Sequence, residues 1–209
     1  MAKQPAKTSS RGKREIIMEA ALELFFNKGY SNTKIIEIAG VANIGKGTFY
    51  EYFKSKEALL VELLTCKFDA DRRHLDEISS SSLSSADKIR EFLYFEVTSL
   101  EKYGPHSNVL AQEMMSPGFE SCAEIRTTLH DMFMHKYAFL DQVISEGISK
   151  GEFKKIDTTL ATTSVMGAIS FYTAFKYNVF QHKTTTGMPF SNTSWNNEEL
   201  FQLIFKGLE

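Results

Sequence analysis

The chain has 209 residues, 43% of them hydrophobic and 24% charged, a balance that excludes a disordered or fibrous chain and suits one large globular domain or two small ones. The net charge of −2 is unevenly spread: residues 1–56 hold ten Lys/Arg against five Asp/Glu, whereas residues 57–209 hold fourteen against twenty-one. A basic head on an acidic body points to a polyanionic partner for the head alone.

No run of about 18 apolar residues marks a membrane helix, and the basic N-terminus lacks the apolar stretch of a secretory signal. Two cysteines, Cys66 and Cys122, are too few for a disulfide framework and read as idle thiols in a reducing cytoplasm.

Prolines are few, strand alternation is scarce and helical periodicity recurs, so the expected fold is all-α with about nine helices. Residues 1–12 read as a disordered basic tail. Ile17, Ala20, Ala21, Leu24 and Phe25 form one stripe on a first helix, about 13–28. Gly29 suits a left-handed C-cap and Tyr30 can fold back onto the last turn. Ser31, Asn32 and Thr33 offer N-caps for a second helix, about 33–39, with Ile35, Ile38 and Ala39 inward. A third short helix is expected over 46–52, and Ser55 caps a fourth, about 56–78.

The serine run 79–85 reads as a flexible break. Ser85 then caps a helix from 86 to about 103, "YGPHSN" turns, and a short helix reaches about 116 before "SPG" interrupts it. A long helix fits 119–149 and ends at Gly151. Asp157 caps another, to about 181. A polar loop and a last helix, about 197–208, close the chain.

Residues 40–48, "GVANIGKGT", contain G-x-x-x-x-G-K. A phosphate-cradling loop needs a preceding strand and a Ser or Thr after the lysine. Gly47 occupies that hydroxyl position, and "TKIIEIA" before it has helical spacing. A helix-turn-helix accounts for the same residues: Asn43 tolerates the positive φ of the turn, Ala39 and Ala42 allow close approach, and Gly45 and Gly47 open the next helix. Glycine there weakens the helix by about 1 kcal/mol, which is intelligible if backbone must approach another surface. Near a helix N-terminus that surface is a phosphate backbone.

The run "KREIIMEAALELFFNKGYSNTKIIEIAGVANIGKGTFYEYFKSKEALL" resembles the DNA-binding head of the tetracycline-repressor (TetR/AcrR) family. It carries A-x-x-L-F-x-x-x-G-Y with Phe26 inserted, T-x-x-x-x-I-A, and G-K-G-T-F-Y-E-Y-F-K-S-K-E-A-L. Two departures stand out. Asn43 replaces the usual glycine of the turn, and Gly45 replaces a common serine. Ile36 occupies an exposed place where a polar residue is common. The resemblance implies a helix-turn-helix head over 13–55 and a helical effector-binding and dimerisation body over 56–209. It also implies a cytoplasmic bacterial regulator that binds a palindromic operator in double-stranded DNA as a homodimer and is released by a small molecule. The alternative is a regulator answering a protein partner, or an activator, with no small-molecule effector.

In that frame 46–52 is the recognition helix in the major groove. Lys46 reaches a guanine edge or a phosphate, and Thr48 offers a methyl to thymine or a hydroxyl to phosphate. Gly47 permits close approach. Tyr50 and Tyr52 present hydroxyls; by the resemblance, Tyr50 touches phosphate. Thr33 is placed for a phosphate, Lys54 and Lys56 flank the fourth helix, and Arg14 reaches along the backbone. Phosphate contacts set affinity and salt dependence, and base edges set specificity.

For the body, Ser164, Gly167, Ala168, Leu200, Leu203 and Ile204 are the expected dimer surface, on the last two helices. Phe92, Phe95, Glu96, Met114, Phe133, Tyr137, Phe171, Tyr172 and Phe175 are the expected lining of a cavity for a hydrophobic or aromatic effector. Glu96 would favour a cationic one if buried beside the rings. No metal-ligand set, cofactor motif or catalytic constellation is present among His74, His106, His130, His135, His182 and the acidic residues, so an enzyme is not expected.

Overall fold

The computed structural model describes residues 12–101, 123–176 and 196–208. Among them are eight helices and no strand: α1 (Lys13–Lys28), α2 (Ile35–Val41), α3 (Lys46–Tyr52), α4 (Lys56–Ser80), α5 (Ser85–Glu101), α6 (Ala123–Lys150), α7 (Thr158–Lys176) and α8 (Asn197–Leu208). The short helix expected before residue 116, the "SPG" break, the polar loop after α7, Met114 and nearly all of the basic tail lie outside the described residues.

The stripe on α1 buries Ile17, Ala20, Ala21 and Phe25, with Leu24 half-buried. The helix stops at Gly29, at φ 87° and ψ 158°, a region that is essentially glycine's alone. This is not the left-handed cap the sequence suggested, but Tyr30 does return to pack edge-on against Phe25, ring centroids 5.3 Å apart.

Helix α2 begins two residues later than expected. Thr33 is turned inward, 2% exposed, and its hydroxyl donates to Gly29 O at 2.7 Å, so it is not available as a cap. Lys34 takes the N-cap position, and the Glu37 carboxylate accepts from its backbone N–H at 2.7 Å. Asn43 is the only non-glycine residue with positive φ (53°) among the described residues, and it turns the chain from α2 into α3. Ile44 N–H closes that turn onto Ala39 O at 2.9 Å.

Ser55 caps α4 through its side chain, which accepts from Ala58 N–H at 3.0 Å. The serine run is less of a break than expected. Helix α4 continues through Ser80, whose Oγ donates to Asp76 O at 2.5 Å. Ser84, rather than Ser85, caps α5 by accepting from Asp87 N–H at 3.1 Å. Ser85 is buried and donates to Glu152 Oε1 at 3.3 Å, while Glu152 also accepts from Ala86 N–H at 3.2 Å. Helix α6 ends before Gly151 (φ 75°), and Asp157 caps α7 by accepting from Leu160 N–H at 2.8 Å.

The apolar side chains gather in two separate clusters. The head cluster joins α1, α2, α3 and the start of α4 through Ile17, Phe25, Ile38, Phe49, Phe53, Leu59 and Leu60, and it takes in Ile125 from α6. The body cluster joins the far half of α4 to α5, α6, α7 and α8 through Leu75, Ile89, Phe92, Phe139, Leu140, Val165 and Phe201.

Candidate nucleic-acid interface

Helix α3 is fixed from beneath by Phe49, which is fully buried and packs against Phe53 with ring centroids 5.8 Å apart. That anchoring leaves the other side of α3 in the open. Gly45, Lys46, Gly47, Tyr50 and Glu51 are exposed, Thr48 and Tyr52 are half-buried, and Lys54 is exposed just beyond the helix. Lys46 Nζ sits 6.0 Å from the centre of the Tyr50 ring, one turn on. Among the described residues no carboxylate pairs with Lys46 or Lys54, so both carry uncompensated charge on this face.

Three of the expected contacts are committed elsewhere. Arg14 makes a two-pronged ion pair with Glu62, its Nε donating to Oε1 at 2.6 Å. Its Nη1 also donates to Tyr52 O at 3.2 Å, and the guanidinium lies over the Phe53 ring at 4.6 Å. It clamps α1 and α3 to α4 instead of reaching outward. Lys56 Nζ donates to Tyr30 O at 2.6 Å and Thr33 O at 2.9 Å and stacks 4.2 Å over the Tyr30 ring, tying the start of α4 to the α1–α2 turn. Thr33 is buried, as above. These three are positioning residues of the head.

Two features of this surface escaped the sequence reading. Lys34 is exposed at the start of α2. Glu37 is paired with Lys28 at 2.6 Å; that hydrogen bond, and the one from Lys34 N–H, hold its carboxyl below the ordinary value of 4.5. The i, i+3 relation of Lys34 to Glu37 was visible in the sequence as a reverse cap.

Of the residues expected to line an effector cavity, Phe92, Tyr137 and Tyr172 meet in the body cluster, and Phe95, Phe133 and Phe171 are not part of it. Phe92 and Tyr172 are buried in the body cluster, Tyr172 donating to Asn197 Oδ1 at 2.6 Å. Phe95 is half-buried over His74, ring centroids 4.5 Å apart. Tyr137 is half-buried beside the exposed Phe133. Phe171 is exposed, on the same side of α7 as the exposed Leu160 and Ser164. The Phe175 side chain lies outside the described residues. Glu96 is already neutralised by Lys136 at 2.7 Å, which removes the reason for expecting a cationic effector. Of the expected dimer surface, Ser164 and Leu203 are exposed, Gly167, Ala168 and Leu200 are half-buried, and Ile204 faces the chain's own core.

A short helix, a turn at a positive-φ residue and a second short helix exposed along one face define a helix-turn-helix DNA-binding protein. Residues 17–63 match the family model for bacterial regulatory proteins of the tetR family. A fatty acid metabolism regulator protein of Bacillus subtilis is 27% identical over 154 residues, covering 73% of this chain and 77% of that one. The transcriptional repressor NemR of Escherichia coli is 23% identical over 142 residues, covering 68% and 71%. The crystal structure of the Bacillus subtilis regulator FadR in complex with stearoyl-CoA shares the fold at TM-score 0.71 and 22% identity, over 93% of this chain and 99% of that one. Residues 17–63 are a tetR-family DNA-binding head, and the chain is a DNA-binding transcriptional regulator.

Proposed function

We propose that the protein is a repressor that binds a palindromic operator as a homodimer and leaves it when a long-chain acyl thioester occupies its body. The observation that carries the DNA part is the face of α3. Lys46, Gly47, Thr48, Tyr50 and Lys54 stand together on a head in which Arg14 and Lys56 are tied to its own backbone. Lys46 and Lys54 supply the salt-dependent attraction, and Lys46, Thr48 and Tyr50 read the groove.

A lone head offers few base-reading groups, so two half-sites about one helical turn apart, ~34–36 Å, supply the selectivity. The pairing surface is the outer face of α7 and α8. Leu160, Ser164, Gly167 and Phe171 recur at three- and four-residue steps, and Leu203 stands 71% exposed on α8. The small residues admit a close partner helix, and the large ones are apolar surface that a second copy would cover.

The effector class follows the relatives: one is named for fatty acid metabolism, and another was crystallised with stearoyl-CoA. The test is fluorescence anisotropy on the DNA upstream of the protein's own gene, beside a scrambled duplex. Selective binding that weakens with salt and with Lys46→Ala, and that stearoyl-CoA dissolves at micromolar concentration, is the expected result. Equal binding to every duplex after refolding refutes the operator reading. Selective binding untouched by acyl-CoA refutes the effector.

A further inference from the structure

Only α4 and α6 link the head cluster to the body cluster through described residues, and both cross a band that is poor in buried apolar groups. Between Leu60 and Leu75, the one buried residue of α4 is Asp71. Between Ile125 and Phe139, α6 has none. Ile125 and Leu129 meanwhile pack onto the head cluster, so the first turns of α6 belong with the head and its last turns with the body.

The band is closed by charges. Asp71 accepts from Lys67 Nζ at 2.5 and 2.7 Å on its own helix. It also faces Lys136 of α6 at 3.6 Å, and Lys136 reaches Glu96 of α5 at 2.7 Å. Burial alone would lower the pKa of Lys136, yet the two carboxylates more than offset it and hold it above the ordinary lysine value. The chain Lys67–Asp71–Lys136–Glu96 therefore alternates in sign, is neutral as a whole, and spans three helices.

Two facts argue against reading it as a source of stability. A buried ion pair rarely outperforms an apolar filling of the same volume. This network is also only partly satisfied. Glu96 Oε1 is close to the Lys136 charge but has no partner in hydrogen-bond geometry among the described residues, and neither has the buried Nε2 of His135. An unpaired buried polar atom is costly, so the closed network does not have the rigidity that full hydrogen bonding would give it.

We propose that this ion-pair chain is a latch that fixes the angle of the head on the body, and that opening the Lys136–Glu96 link lets the head swing as a unit with Ile125 and Leu129. The operator arm of its test rests on the function proposed above; the distance arm rests on the single chain and does not. In a dimer the swing changes the spacing of the two heads, so operator affinity falls while every DNA-facing residue is intact.

The test is the double substitution Lys136→Met/Glu96→Gln, which removes both links made by Lys136, leaves no new uncompensated charge, and keeps Lys67 on Asp71. Spin labels at the exposed positions 23 and 206, in a Cys66→Ser/Cys122→Ser background and diluted with unlabelled protein, report the head–body distance within one chain. The expected result is a cooperatively folded protein whose distance distribution broadens or shifts beyond its original width. Where the unmutated protein binds its operator, the variant should also lose about tenfold or more in affinity. Arg72→Gln/Asp69→Asn removes an exposed pair on the same helix and should change neither readout. If the double variant does not fold, Glu96→Gln alone carries the same distance measurement. A folded variant with an unchanged distribution, or an equal change in the surface-pair control, overturns the proposal. Absence of operator binding in the unmutated protein refutes the parent reading and leaves the distance result to decide the latch.

Discussion

Gly47→Ala separates what the head needs for its own fold from what it needs for DNA. A Cβ built at Gly47 meets nothing within 4 Å, and the residue has ordinary helical geometry in the first turn of α3. Neither packing nor backbone conformation requires a glycine there. Replacing glycine by alanine in a helix stabilises it by roughly 0.5–1 kcal/mol. For a domain of this size, that gain raises Tm by about 1–4 °C. The methyl group would stand on the open face of α3, between Lys46 and Thr48, where the proposed function brings the backbone close to DNA. Even a modest separation there weakens several phosphate and base contacts together, and we expect a loss of about tenfold or more in affinity, ~1.4 kcal/mol. Differential scanning fluorimetry and anisotropy on the same samples read the two effects. Stability and affinity should move in opposite directions. A variant that is more stable and binds equally well would show that the glycine has nothing to do with DNA. A destabilised variant would show that the space around Gly47 is not open.

Asn43→Ala should destabilise by about 1 kcal/mol, because alanine lacks the side-chain amide that eases a φ of 53°, whereas Asn43→Gly should be neutral or slightly stabilising; equal Tm values for the Asn43→Ala variant and the unmutated protein would refute this. The depressed pKa of Glu37 means that its pairing contributes stability above the ordinary value of 4.5 and loses it as pH falls through the lower folded-state value. The Tm gap between Glu37→Gln and the unmutated protein should therefore be constant at neutral and mildly acidic pH and close only below that value. Leu203→Glu places a charge on a residue that is 71% exposed in the single chain, so it should leave folding intact; in sedimentation velocity it should convert dimer to monomer, and an unchanged sedimentation coefficient would move the interface elsewhere.

Local signals in the sequence translated well into structure because their physics is local. Ser55 and Asp157 cap the helices they precede, through one hydrogen bond three residues away. Asn43 turns the chain because so few residues accept its φ. The stripe on α1 is buried because its spacing leaves no other way to hide it. The sequence did not show which basic and hydroxyl residues are tied within the head, because there the deciding neighbour is distant. Arg14 meets Glu62, 48 residues on, and Lys56 meets carbonyls 23 and 26 residues back; neither pairing has any local sequence trace. Lys46 and Lys54, with the same local chemistry, have no such neighbour among the described residues and keep their charge outward. The inward-facing residues nonetheless serve the same end. Arg14 holds α1 and the end of α3 to α4, and Lys56 holds the α1–α2 turn to the start of α4. The exposed face of α3 thereby has one orientation relative to α4, the helix whose next buried side chain is Asp71 in the latch. A change at Lys136 can reach Lys46 only because that intervening unit is stiff, so Arg14→Ala should blunt the effect of the Lys136→Met/Glu96→Gln pair on DNA affinity, and additive losses would show that the head does not move as one body.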